Sequence, residues 1–213
     1  HRRAHLPEIR RIRQRPGPLL KLGVLGGTFN PVHVGHLINA AVALDELKLD
    51  RVLFVPARDP VHKGLHDAVT PEDRFEMLVR ATGGNSRFAV SRIELDRVEP
   101  SYSIITVREL ALEYPGAEMF LLVGADSFNE MHTWKDYAGL VSLVTLAVMR
   151  RPAIDPENSA LEEVGAKYVL IQNPLIEISS TDVRARVRAG RSIRYMVSDE
   201  VGEYIKEKGL YRD

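Results

Sequence analysis

From Leu19 onward the chain alternates short apolar runs with segments of helical periodicity, and no other feature limits its fold as much. Strands are predicted over Leu19–Leu25, Arg51–Pro56, Phe88–Ile93, Met119–Val123, Leu143–Met149 and Lys167–Ile171. Helices are predicted over Gly35–Lys48, Pro71–Thr82, Ser103–Glu113, Ala125–Glu130, Ala160–Gly165, Ser180–Ala189 and Ser198–Lys208. Thr70-Pro71-Glu72-Asp73 reads as a helix start, with a capping hydroxyl, proline at the first position and two acids in the first turn. Strands that alternate with helices build βαβ units, and hence a doubly wound parallel α/β sheet in a single domain. In such sheets ligands sit beyond the carboxyl ends of the strands. Gly26 follows the first predicted strand, His62 and Lys63 the second, and Gly124 to Asp126 the fourth. These positions converge on one crevice.

Within that pattern, Lys21 to Leu37 (KLGVLGGTFNPVHVGHL) reads as strand, tight loop and helix. Gly26 and Gly27 let a ligand approach the backbone where a Cβ would intrude. A helix start carries unpaired N–H groups and partial positive charge, which suits phosphate. His33 and His36 stand three residues apart on the first helical turn, with Gly35 between them. A Gly-Gly turn or a pair of capping histidines is ordinary alone; together they are better explained as a polyphosphate site. The spacing matches neither the dinucleotide fingerprint G-x-G-x-x-G nor a Walker A loop.

The 213 residues suit one α/β domain, with 45% apolar and 27% charged residues. Lys plus Arg and Asp plus Glu are both 29, so net charge gives no argument for nucleic acid. There is no cysteine, which excludes disulfides and thiolate chemistry and fits a cytoplasmic location. No apolar run is long enough to span a membrane, and no secretory signal appears. Residues 1–18 carry six arginines against one acid and end in Pro-Gly-Pro. They read as a disordered basic arm, with a nucleic-acid tail as the alternative, ahead of a domain over 19–213.

GGTFNPVHVGH resembles the signature of the nucleotidylyltransferase superfamily, with His33-Val34-Gly35-His36 as its H-x-G-H element. Pro60-Val61-His62-Lys63, Pro100-Ser101-Tyr102-Ser103, Gly124-Ala125-Asp126-Ser127-Phe128, Thr133-Trp134, Arg150-Arg151-Pro152 and Ile178-Ser179-Ser180-Thr181-Asp182-Val183-Arg184 follow in the same order. Over roughly residues 20 to 213 the sequence is most similar to the bacterial nicotinate-nucleotide adenylyltransferases. The resemblance implies a Rossmann-like nucleotidylyltransferase fold. It implies transfer of the adenylyl group of ATP to nicotinate mononucleotide in NAD biosynthesis, with Mg²⁺ carried by ATP and no metal site of the protein's own. It implies an ATP site formed by Gly26, Gly27, Thr28, Phe29, His33, His36, Gly124, Asp126, Ser180, Thr181 and Arg184. His33, His36, Lys63 and Arg184 are its implied catalytic residues, and Lys63, Ser103 and Trp134 its acceptor residues.

Read from the residues alone, several of these positions stay open. Ser179 to Thr181 have the composition of a helix cap as well as of a phosphate seat. Lys63 is a lysine in a long polar connection, solvated or functional. Asp126 is a cap, a ribose ligand or a ligand to a phosphate-bound metal. Trp134, the single tryptophan, is a core or rim aromatic or a platform for a flat ring. Pro100 to Ser103 precede a helix whose N–H groups suit a carboxylate. The expected field at the phosphates is positive, from His33, His36, Lys63 and Arg184. The rival readings are a related transferase such as phosphopantetheine adenylyltransferase, a non-catalytic nucleotide sensor, and a nucleic-acid binder using the basic arm. A homo-oligomer is compatible with the sequence.

Overall fold

A computed structural model describes residues 19–58 and 69–212. The basic arm over 1–18 and the loop residues His62 and Lys63 lie outside the described residues. The strands are β1 (Lys21–Gly27), β2 (Arg51–Pro56), β3 (Phe88–Val90), β4 (Glu118–Gly124), β5 (Thr145–Met149) and β6 (Tyr168–Ile171). The helices are α1 (Val34–Glu46), α2 (Pro71–Thr82), α3 (Ser103–Glu113), α4 (Ala125–Glu130), α5 (Tyr137–Leu143), α6 (Ser159–Glu163), α7 (Ser180–Arg188) and α8 (Asp199–Lys208), with a single 3-10 turn over Met131–Thr133.

All described strand pairs are parallel, in the order β3-β2-β1-β4-β5-β6. Val24 of β1 lies between Leu53 of β2 and Leu121 of β4. Side chains alternate across the sheet, as the period of two requires. Leu22, Val24, Leu53, Leu121 and Leu146 enter one core, which α3 to α6 cover with Ile104, Val107, Phe128, Leu140 and Leu161. Leu25, Phe54, Phe120, Leu122 and Ala147 enter the other, covered by α1, α2, α7 and α8 through Ala40, Leu44, Met77, Val183 and Ile205. Both faces are buried, which is why the strands read as near-continuous apolar runs. The chain leaves β1 toward one face and β4 toward the other. The gap between these neighbouring strands is therefore the topological switch point, where ligands of such sheets bind.

The elements differ from the sequence expectations chiefly at four points. β1 runs from Lys21 to Gly27, with Gly26 and Gly27 paired to Val55 and Pro56 rather than turning after Leu25. β3 stops at Val90, because Ser91 N–H makes the last ladder bond to Phe54 O (2.9 Å) and Ser91 Oγ then accepts from Ile93 N–H (3.2 Å), turning the chain. α5 was not predicted; its seven residues are too few to show a helical period, and Gly139 lowers its propensity. Asp136 at φ 49° starts it, with Oδ1 accepting from Gly139 N–H at 3.2 Å. Because α5 takes up Leu143, β5 begins at Thr145.

The C-terminal segment closes back on the loop after β1. Val34 N–H donates to Met196 O (2.9 Å), and the buried Tyr211 hydroxyl donates to Asn30 Oδ1 (2.6 Å). Tyr211→Phe leaves that buried amide oxygen short of a donor. Stability in urea should fall by about 1–3 kcal/mol. A midpoint equal to the parent's would show that the bond carries no net stability.

Candidate active site

The loop leaving β1 is held by its carbonyls. Gly27 O accepts from Ala57 N–H at 2.9 Å, Thr28 O from Arg74 Nη1 at 2.7 Å, Asn30 O from Arg184 Nη1 at 2.8 Å and Pro31 O from Ser180 Oγ at 2.8 Å. A loop whose acceptors are engaged by the protein offers a ligand chiefly donors, the requirement for an anion. Gly26 is exposed, and a Cβ there would meet nothing within 4 Å, so the backbone is open to close approach. Phe29, at φ 48°, buries its ring beneath His36 at a centroid distance of 5.1 Å.

His33 is the extended N-cap of α1 rather than a residue of its first turn, and His36 is the third helical residue. Their rings stack, with centroids 3.7 Å apart and planes 27° apart. Gly35 permits this: a Cβ there would sit 3.0 Å from the His33 ring. His33 N–H donates to His36 Nδ1 at 3.2 Å. That bond assigns the proton of neutral His36 to Nε2, leaving an N–H donor at the far edge of the ring. His33 is buried, and its Nδ1 has no hydrogen-bond partner among the described residues. Burial, with the nearby Arg151 guanidinium, lowers its pKa from 6.5 to about 4, against a weaker upward pull from Asp182. The expectation that His33 contributes positive charge is therefore corrected. It is neutral near pH 7, because a buried imidazolium beside a guanidinium is unfavourable.

The start of α7 meets the same loop. Ser179 is its N-cap; Ser179 Oγ accepts from Asp182 N–H at 3.1 Å, and Asp182 Oδ2 accepts from Ser179 N–H at 3.2 Å. Ser180 and Arg184 reach the loop carbonyls given above, and Arg184 Nη2 donates to Thr181 Oγ1 at 3.3 Å. Ser180, Thr181 and Arg184 thus lie on a helix start that meets the loop, with a bracing role on it that spacing did not reveal. Across the switch point, Gly124 caps α4 and Asp126 lies in its first turn. Asp126 Oδ1 pairs with Arg151 Nε at 3.5 Å, and a Cβ at Gly124 would crowd Asp126 Oδ1 and lie 3.0 Å from Arg151 Nε. Among the described residues no group of three or more His, Cys, Asp and Glu could hold a metal ion.

Ser103 is the first residue of α3, behind the extended N-cap Tyr102, whose side chain makes no capping bond. Trp134 follows the 3-10 turn, donates its backbone N–H to Met131 O at 2.9 Å and packs, half-buried, on the second core. Their neighbours join the two segments. Lys135 Nζ lies 4.5 Å from the Tyr102 ring centroid, and Arg108 Nη2 donates to Asp136 Oδ2 at 2.8 Å. Ser103 and Trp134 therefore belong to adjoining walls.

Sequence reasoning missed Arg74 and gave Arg151 no role. Arg74 is fully buried on α2, in register with Met77, Leu78 and Thr82. An arginine on a buried helical stripe, at i, i+3, i+4 and i+8, was the available signal. Arg151 shows itself only in space, between Asp126 and His33.

Residues 24–186 match the cytidylyltransferase-like family, and the chain belongs to that family. It is 42% identical over 191 residues to the probable nicotinate-nucleotide adenylyltransferase of Corynebacterium kroppenstedtii, with 90% of each chain covered. It is 43% identical over 194 residues to the probable nicotinate-nucleotide adenylyltransferase of Thermus thermophilus, covering 91% of this chain and 100% of the relative. The solved structure of Plasmodium falciparum nicotinic acid mononucleotide adenylyltransferase complexed with NaAD has a TM-score of 0.73 at 17% identity, covering 90% of this chain and 97% of that one. At that identity the likeness concerns the fold.

The state of His33 gives a stability prediction. Between pH 6.5 and about 4 the unfolded chain takes up a proton at His33 that the folded chain refuses. Its contribution is whole above the unfolded pKa and is lost as pH falls, by on the order of 3 kcal/mol. Urea unfolding across this range should show a flatter pH dependence for His33→Gln than for the parent. Equal slopes would mean His33 titrates normally in the folded protein.

Proposed function

We infer that the protein transfers the adenylyl group of ATP to nicotinate mononucleotide, giving nicotinate adenine dinucleotide and pyrophosphate in NAD biosynthesis. The observation that carries the catalytic assignment is the meeting of two helix starts, α1 and α7, over one loop whose carbonyls are already engaged. Such a junction concentrates N–H donors and positive dipole at one point, as a triphosphate requires. The acceptor's phosphate is anionic and needs no protein nucleophile; its oxygen attacks the α-phosphorus in line with the departing pyrophosphate. Catalysis is then positioning and charge stabilisation. His36, with Nδ1 engaged, turns an Nε2–H donor toward the developing charge; neutral His33, its Nδ1 buried, stacks on that ring and offers its other ring nitrogen as a second polar contact. Gly26 and Gly27 at the end of β1, with Thr28 and Phe29 in the loop after it, face the phosphates, and Ser180, Thr181 and Arg184 hold the outer phosphates. Mg²⁺ carried by ATP would neutralise phosphate charge, and Asp126, in the first turn of α4, is the carboxylate that would hold it. Lys63 keeps the phosphate and acceptor role that the resemblance implies.

The N–H groups at Ser103 take the nicotinate carboxylate, and Trp134 supports the ring. A donor-only site favours the acid, because an amide must turn its NH₂ toward those donors. Pyrophosphate release should favour nicotinate over nicotinamide mononucleotide by on the order of 10² in kcat/KM. Trp134→Ala should weaken both acceptors together, since stacking does not read the substituent. Equal turnover of acid and amide would remove the donor site. Greatest turnover with phosphopantetheine would move the chain to the rival transferase. His36→Ala should lower kcat by roughly 10²–10³ with little change in KM. Near-normal turnover would take His36 out of the catalytic set.

A further inference from the structure

A partly buried line of hydrogen bonds joins the phosphate loop to the acceptor loop. Arg74 Nη1 donates to Thr28 O (2.7 Å) and Arg74 Nη2 to Arg58 O (3.1 Å), so one guanidinium fork spans the loops that follow β1 and β2. From Arg58 the line continues in two strands. Arg58 N–H donates to Ser101 Oγ (3.1 Å), and Arg58 Nη1 to Arg97 O (2.7 Å). Arg97, itself buried, donates from Nη2 to Pro100 O (3.3 Å) and from Nη1 to Glu109 Oε2 (2.7 Å). Ser101 and Pro100 lie directly ahead of Ser103. Arg74 is fully buried and Thr28 O is part of the nucleotide loop, so this line does not float on the surface.

We propose that Arg74 is a positioning residue that fixes the ATP loop against the acceptor loop, through Arg58 and Ser101. This rests on the adenylyl-transfer reading. In-line attack requires the two reactants to be placed together, and a misplacement of about 1 Å costs on the order of 10² in rate. The β1–β2 ladder and the Ala57 N–H bond to Gly27 O bring the ends of these strands together; the guanidinium fork fixes Arg58 against Thr28, and Arg58 carries that tie on to Ser101. Lysine cannot replace the fork, because it offers one ammonium where two carbonyls need two directed donors.

The test combines kinetics with amide exchange on the full chain. Arg74→Lys should lower kcat by roughly 10² while the KM values for ATP and nicotinate mononucleotide each stay within about threefold. Ser101→Ala should lower kcat by about three- to tenfold, and the double variant should be no worse than Arg74→Lys alone, because both cut one line. A Ser101→Ala enzyme with parental kcat, or multiplicative losses in the double variant, overturns the proposal, even if Arg74→Lys does not fold. Exchange in the ligand-free protein separates this from the activity itself. Arg74→Lys should speed exchange at the Thr28 and the Ser101–Ser103 segments together. Loosening at the Thr28 segment alone overturns the line whether or not any mononucleotide is turned over.

Discussion

The structure depends on how the backbone carbonyls between Gly27 and Pro31 are held. Ala57, Arg74, Arg184 and Ser180 each donate to one of them, from the end of β2, α2 and the first turns of α7. Tyr211 adds a bond to the Asn30 side chain from the far end of the described chain. Segments distant in sequence therefore fix one short loop at the switch point. This arrangement decides what the loop can bind. With its acceptors turned to the protein, its polarity toward a ligand is that of a donor, and the starts of α1 and α7 reinforce the same sign.

Charge in the crevice is distributed differently from a cluster of cationic side chains. His33 is neutral, and the stacked imidazoles, 3.7 Å apart, work as oriented N–H donors. Positive potential comes from the helix starts, from Arg184 on the loop, and from Arg151, which is partly balanced by Asp126. A field built from dipoles and from two guanidinium groups already held by protein partners needs little reorganisation when phosphate charge develops. It also agrees with a chain whose formal charges sum to zero.

Much of this was legible in the sequence, and the physical reasons are specific. All six described strands were found, because burial on both faces makes them continuous apolar runs. The helix starts at Thr70 and Ser179 were marked by their caps. His33, His36, Ser180, Thr181 and Arg184 do converge, as the H-x-G-H and I-S-S-T-x-x-R elements implied. α5 was hidden by its length. The neutrality of His33 was hidden because its burial, and then the approach of Arg151, arise only in the fold. Arg74 was hidden because an arginine is read as surface unless its helical register is checked.

Crystals grown with a non-hydrolysable ATP analogue test the central claim most directly. The account predicts the triphosphate at the switch point, within hydrogen-bonding distance of His36 Nε2 and the first amides of α7, with the Arg74, Arg184 and Ser180 bonds to the loop carbonyls intact. A triphosphate bound elsewhere, for example in the basic groove lined by Arg188, Arg191, Lys206 and Arg212 between α7 and α8, would contradict it.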